Sequence, residues 1–76
     1  MINWMNPRDK WIEGYYKSIQ LYMHLNKDGK ADGLYFIEGN HKEKIVPDDE
    51  HEMDVDIMKL MAEYIIKEKY TNHFEL

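Results

Sequence analysis

The sequence predicts an α+β domain in the order αβββα: a short N-terminal helix, a three-stranded antiparallel meander and a long C-terminal helix packed on the sheet. Three observations carry that expectation. Residues 19–25 alternate apolar and polar, the period-two signature of a half-buried strand. An Asp-Gly pair separates them from a second run rich in aromatic and β-branched residues, as in a hairpin. Beyond residue 48, acids give way to apolar residues at helical spacing and then to lysines, the charge order a helix dipole prefers.

At the N-terminus, Asn6 suits a helix cap, Pro7 the first helical position and Asp9 the first turn. Trp11, Ile12, Tyr15 and Tyr16 continue with helical spacing, although Gly14 weakens a helix by about 1 kcal/mol relative to Ala. In the next segment Ile19, Leu21, Met23 and Leu25 alternate with Gln20, Tyr22, His24 and Asn26, which predicts a strand over Ser18–Asn26. A helix through residues 7–25 is the competing reading, because Trp11, Tyr15, Ile19, Tyr22 and Met23 could share one face. Leu21 and Leu25 fit only the strand. Leu34–Glu38 reads as the second strand, Gly39-Asn40 as a turn, and "HKEKIV" as a third, polar strand ending at Pro47. Its lysines suit an exposed sheet edge.

The C-terminal helix is expected to start at a cap on Asp48 or Asp49, with Glu52 completing a capping box. Met53, Ile57, Leu60, Met61, Tyr64 and Ile65 form the expected inner stripe. Val55, Ala62 and Ile66 form a second apolar shoulder, wider than one sheet contact needs. Either the N-terminal helix, with Trp4, Trp11 and Ile12, covers that shoulder, or a partner chain does.

Size and composition narrow the function. A single domain of 76 residues has a small core, and without cysteine it has neither disulfides nor thiolate metal sites. Ten aromatic residues supply dense side chains and set the composition of a folded protein. No apolar run reaches membrane-spanning length and the N-terminus lacks signal-peptide character, so a cytoplasmic protein is expected. Nine of ten basic residues are Lys, and Ile outnumbers Val eight to two, a bias of AT-rich genomes such as those of low-GC bacteria and their phages. The net charge is 10 − 15 = −5, and six acids lie within residues 48–56. That balance opposes non-specific nucleic-acid binding, and the acidic patch points either to a basic partner surface or to no more than solubility and helix capping.

The most motif-like stretch is "LNKDGKADGLY". With Gly29 at the sixth position of a calcium loop, His24 and Tyr35 fall at the first and twelfth, where carboxylates are needed. With Gly33 there, Lys30 takes the third position and Glu38 falls one residue short of the twelfth. Both registers fail, and the stretch is expected to be a hairpin loop. The four histidines have no zinc-binding spacing. One Ser, one Thr and the lack of a phosphate-binding loop argue against an enzyme, and no cofactor is expected.

The expected function is that of a small acidic protein-interaction module. In size, charge and composition the chain resembles small phage-encoded inhibitors, which would imply binding and blocking a host enzyme or a nucleic-acid-acting defence protein in the bacterial cytoplasm. The expected partner-binding residues are Asp48, Asp49, Glu50, Glu52, Asp54 and Asp56, the shoulder residues Val55, Ala62 and Ile66, and Tyr35 as an aromatic anchor. The alternative is a regulatory nucleic-acid-associated homodimer, joined through that shoulder and using Lys42, Lys44 and His41 beside Tyr35 and Phe36.

Overall fold

A computed structural model describes residues 1–45 and 52–69. Its sheet has five antiparallel strands, not three: β1 (Asn3–Trp4), β2 (Trp11–Tyr16), β3 (Ile19–Leu25), β4 (Ala31–Glu38) and β5 (His41–Ile45), in the spatial order of the sequence. One helix follows, α1 (Val55–Lys69). The expected N-terminal helix is absent, and with it the αβββα order. Residues 11–16 instead alternate, with Ile12, Gly14 and Tyr16 buried and Trp11, Glu13 and Tyr15 turned the other way. Trp, Ile and Tyr favour a pleated, half-buried surface. A two-residue turn at Lys17-Ser18 then reverses the chain, with Lys17 at φ 53° in place of the usual glycine.

Strand register sorts every side chain onto one of two faces. The inner rows run Ile12–Met23–Leu34–Ile45 and Trp4–Gly14–Leu21–Phe36–Glu43. Ile19, Leu21, Met23, Leu34 and Phe36 are fully buried, and each large apolar side chain so buried contributes roughly 1.5–3 kcal/mol. Gly14 is needed for space, because a Cβ there would lie 2.6 Å from Trp4 Cε3 and 3.0 Å from Ile2 Cγ2. Ile2 and Trp4 thus close one end of the core over a position with no side chain. Glu43 points inward on the edge strand β5, and Lys69 of α1 pairs with its carboxylate.

The expected strands at Ser18–Asn26 and Leu34–Glu38 are present, the latter starting earlier, at Ala31. A bulge makes that extension possible. Leu25 pairs with Ala31 and His24 with Gly33, so Asp32 is the extra residue, and Ala31 turns back into the core. The loop between them organises itself. Asn26 Oδ1 accepts hydrogen bonds from the backbone N–H groups of Asp28 (2.9 Å) and Lys30 (3.0 Å), and Gly29 takes φ 79°.

The same loop holds the start of the helix. Ala31 and Met53 exchange two backbone hydrogen bonds of 2.8 Å, Asn26 Nδ2 donates to Glu52 Oε1, and Lys30 Nζ pairs with Asp54 Oδ1 at 2.5 Å. Glu52 therefore precedes the helix and does not complete a capping box. Asp48 and Asp49 lie outside the described residues. The first helical hydrogen bond runs from Met58 N to Asp54 O.

Because Met53 is fixed to the sheet, so is the rotational phase of α1, and that phase reverses the expected stripe. Met58, Ala62 and Ile66 are buried against the sheet, with Val55, Met61 and Ile65 packed beside them. Ile57, Leu60 and Tyr64 are 50, 69 and 64% exposed. The shoulder expected to need a cover is the inner face, and the sheet covers it. Small Ala62 lets helix and sheet approach closely.

Substitutions test both the close packing and the helix tether. Gly14→Ala is expected to cost about 1–3 kcal/mol by overpacking against Trp4. In urea titrations that cost should shrink in a Trp4→Ala background, since the two positions share the clash. For the tether, the hydrogen bond and charge of Asp54 hold Lys30 above its ordinary ammonium value. The folded value is the raised one, so this stabilisation is complete below about pH 10.4 and is lost as pH rises through the elevated value. The difference in Tm between the wild type and Lys30→Met should be constant near neutrality and narrow in alkali.

Candidate functional site

The helix covers one face of the sheet; the other carries most of the half-exposed aromatic residues. Its rows are Trp11–His24–Gly33, Glu13–Tyr22–Tyr35–Lys44 and Tyr15–Gln20–Ile37–Lys42. Trp11 meets His24 edge-on at 4.7 Å and Tyr35 at 5.9 Å between ring centroids. Gly33, the third residue of the Trp11 row, adds no side chain there. The ammonium groups of Lys42 and Lys44 lie 5.6 and 5.3 Å from the Tyr35 centroid, within cation–π range.

The chain between β1 and β2 raises a wall along this face. Arg8 and Trp11 exchange backbone hydrogen bonds of 2.8 and 3.0 Å across a tight turn, where Asp9 takes φ 58°. Met5 N donates to Glu13 O, and Leu25 N donates to Lys10 O, anchoring both ends of the wall. Wall and sheet enclose an open groove of about 870 Å³, lined on the sheet by Trp11, Tyr22, Tyr35 and Ile37 and on the wall by Met5 and Pro7. Its charged lining is mixed: Arg8 and Lys42 against Asp9 and Glu13.

Hydrogen bonds hold several of these side chains. The Tyr15 hydroxyl donates to Glu13 Oε1 at 2.8 Å, and this bond to a carboxylate, then burial, raises the Tyr15 phenol above its ordinary value. His24 Nδ1 and Asp32 Oδ1 lie 2.6 Å apart. A carboxylate only accepts, so Nδ1–H donates in this pair.

The expected site residues scatter. Tyr35 lines the groove. Lys42 and Lys44 flank it, whereas Phe36 is buried on the opposite face and His41 is exposed at the β4–β5 turn. Ala62 and Ile66 are core residues and Val55 is half-buried beside them. Glu52 and Asp54 are engaged by Asn26 and Lys30, and Asp56 lies in the first turn of α1. Asp48, Asp49 and Glu50 lie outside the described residues. Sequence reasoning missed Trp11, Tyr22 and Arg8. The alternation within "WIEGYY" was the available signal for Trp11.

Among the described residues, no three His, Asp or Glu side chains converge on a metal-sized site. Asp28 and Asp32 go to different places, one to an exposed turn and the other to His24. No helix among those residues is long and apolar enough to cross a membrane.

Replacing the acceptor tests the groove-side hydrogen bond. In Glu13→Gln the carboxylate that holds the Tyr15 proton is gone, so one tyrosine should ionise at lower pH than in the wild type. An ultraviolet absorbance titration reads this directly, and superimposable titration curves would contradict the assignment.

The chain matches no protein-family model, and neither curated proteins nor solved structures offer a match to it.

Proposed function

We propose that the chain is a protein-interaction module that holds its partner in the aromatic groove on the open face of the sheet. The observation that carries this reading is the combination of Trp11, Tyr22 and Tyr35 with a charge-balanced lining. Trp, Tyr, Met and Arg are the residue types enriched where proteins bind one another, and all four line this groove. A polyanion favours a surface of one sign. A groove with Arg8 and Lys42 facing Asp9 and Glu13 suits a protein segment that offers apolar side chains between charges of both signs.

In this reading the recognition surface moves from the acidic segment to the sheet. Glu52 and Asp54 already have a structural role, tethering the helix start to the β3–β4 loop. The aromatic side chains of the groove stand on paired strands, so little backbone freedom remains for them to lose on binding. Blocking a host enzyme or defence protein is the consequence such a module has when its partner's own working surface is what fills the groove.

Site-specific photo-crosslinking tests this. A crosslinking residue at Ile37 should capture a partner protein from cell lysate that the same residue at exposed Asn40 does not. Trp11→Ala and Tyr35→Ala should each weaken binding of that purified partner by about 30-fold, the scale of an aromatic hot spot. Far-ultraviolet circular dichroism should stay unchanged. Unaltered affinity in both variants overturns the reading. So does tight, steeply salt-dependent binding of the wild type to single-stranded oligonucleotides, which would make the groove a nucleic-acid site.

A further inference from the structure

The outward face of α1 presents Ile57, Leu60 and Tyr64 at spacings of three and four residues, the pattern of a helix–helix seam. This stripe lies almost opposite Met58, Ala62 and Ile66, so the helix is apolar on both sides and the sheet covers only one. We propose that two copies of the chain associate through this outward face, their helices antiparallel about a two-fold axis near the middle of α1.

Charge placement selects the occupant and its direction. Asp56 lies in the first turn of the helix and Lys67 in the last. Eleven residues apart, they are separated by about 20° around the axis and about 16 Å along it, on the same flank of the stripe. A two-fold axis between antiparallel helices maps each flank onto itself with the ends exchanged. Asp56 of one copy then lies beside the partner's Lys67, and Lys67 beside the partner's Asp56. Ile57 meets the partner's Tyr64, and the two Leu60 side chains meet near the axis. Parallel association about a two-fold axis along the helices would instead put the two Asp56, and likewise the two Lys67, on opposite sides of the seam and leave both pairs unmade. Neither residue forms an ion pair among the described residues, so both remain available. The antiparallel arrangement also opposes the two helix dipoles.

The need for such a cover follows from size. A cysteine-free chain of 76 residues has no disulfide to compensate for its small core, and association is one of the remaining ways to bury more apolar surface. The groove lies on the other face of the sheet, so this inference stands independently of what the groove binds.

Sedimentation velocity over a range of concentrations tests the proposal. The wild type should show a monomer–dimer equilibrium. Leu60→Gln, which keeps helix propensity at an exposed site, should weaken it at least about tenfold. Asp56→Lys and Lys67→Glu should each weaken self-association about tenfold, because each turns both flank contacts repulsive. Mixed one to one, these two variants restore both pairs: the introduced lysine faces the introduced glutamate, and the retained Lys67 of one chain faces the retained Asp56 of the other. They should form heterodimers within about threefold of the wild-type affinity. That rescue cannot come from a folding defect. A wild type that is monomeric throughout, a Leu60→Gln variant that associates like wild type, or a mixture no tighter than either variant alone overturns the proposal.

Discussion

A single helix can shield only one face of a five-stranded sheet, and the protein is organised by that limit. Strand alternation places Ile12, Met23 and Leu34, then Leu21 and Phe36, on the shielded side. The same alternation necessarily collects Trp11, Tyr22, Tyr35 and Ile37 on the other. The aromatic groove is therefore not an addition to the fold. It is the second half of the pattern that makes the core, bounded by a wall from the chain between β1 and β2.

The β3–β4 loop has a comparable double duty. Asn26 uses its side-chain oxygen to shape the turn and its side-chain nitrogen to hold Glu52. Lys30 reaches Asp54, and Ala31 pairs with Met53. A short acidic stretch that reads as a binding surface thus places at least two of its members against the β3–β4 loop. The geometry of this junction, more than the hydrophobicity of α1, decides which side of the helix faces inward.

The hairpin of β3 and β4 was legible in the sequence because alternation and an Asp-Gly turn agree there, and β5 because Gly39-Asn40 and the lysines mark an edge. β2 was not. Asn6-Pro7 imitates a helix start, the apolar residues of "WIEGYY" satisfy both periods, and the turn after it places Lys17, not glycine, at positive φ. β1, at two residues, is too short to show a period. The phase of α1 was illegible for a different reason: Ile57, Leu60 and Tyr64 are as apolar as the residues that are buried. Of the groove, Tyr35 and Lys42 could be named from sequence. Trp11 and Tyr22 join them only through strand register, which depends on having found β2.

The sequential strand order has a kinetic meaning. The connections from β2 to β5 contain two, five and two residues, so each sheet contact closes a short loop at small entropic cost. Among the described residues the distant closures belong to the helix and its start: Met53 returns to Ala31, Glu52 to Asn26, Asp54 to Lys30 and Lys69 to Glu43. Low contact order of this kind belongs with rapid folding for a sheet protein, and it leaves few long-range pairings for a nascent chain to mistake. A cell making this chain from one end gains a sheet whose neighbours in space are already neighbours in synthesis, with the helix docking after the strands it covers.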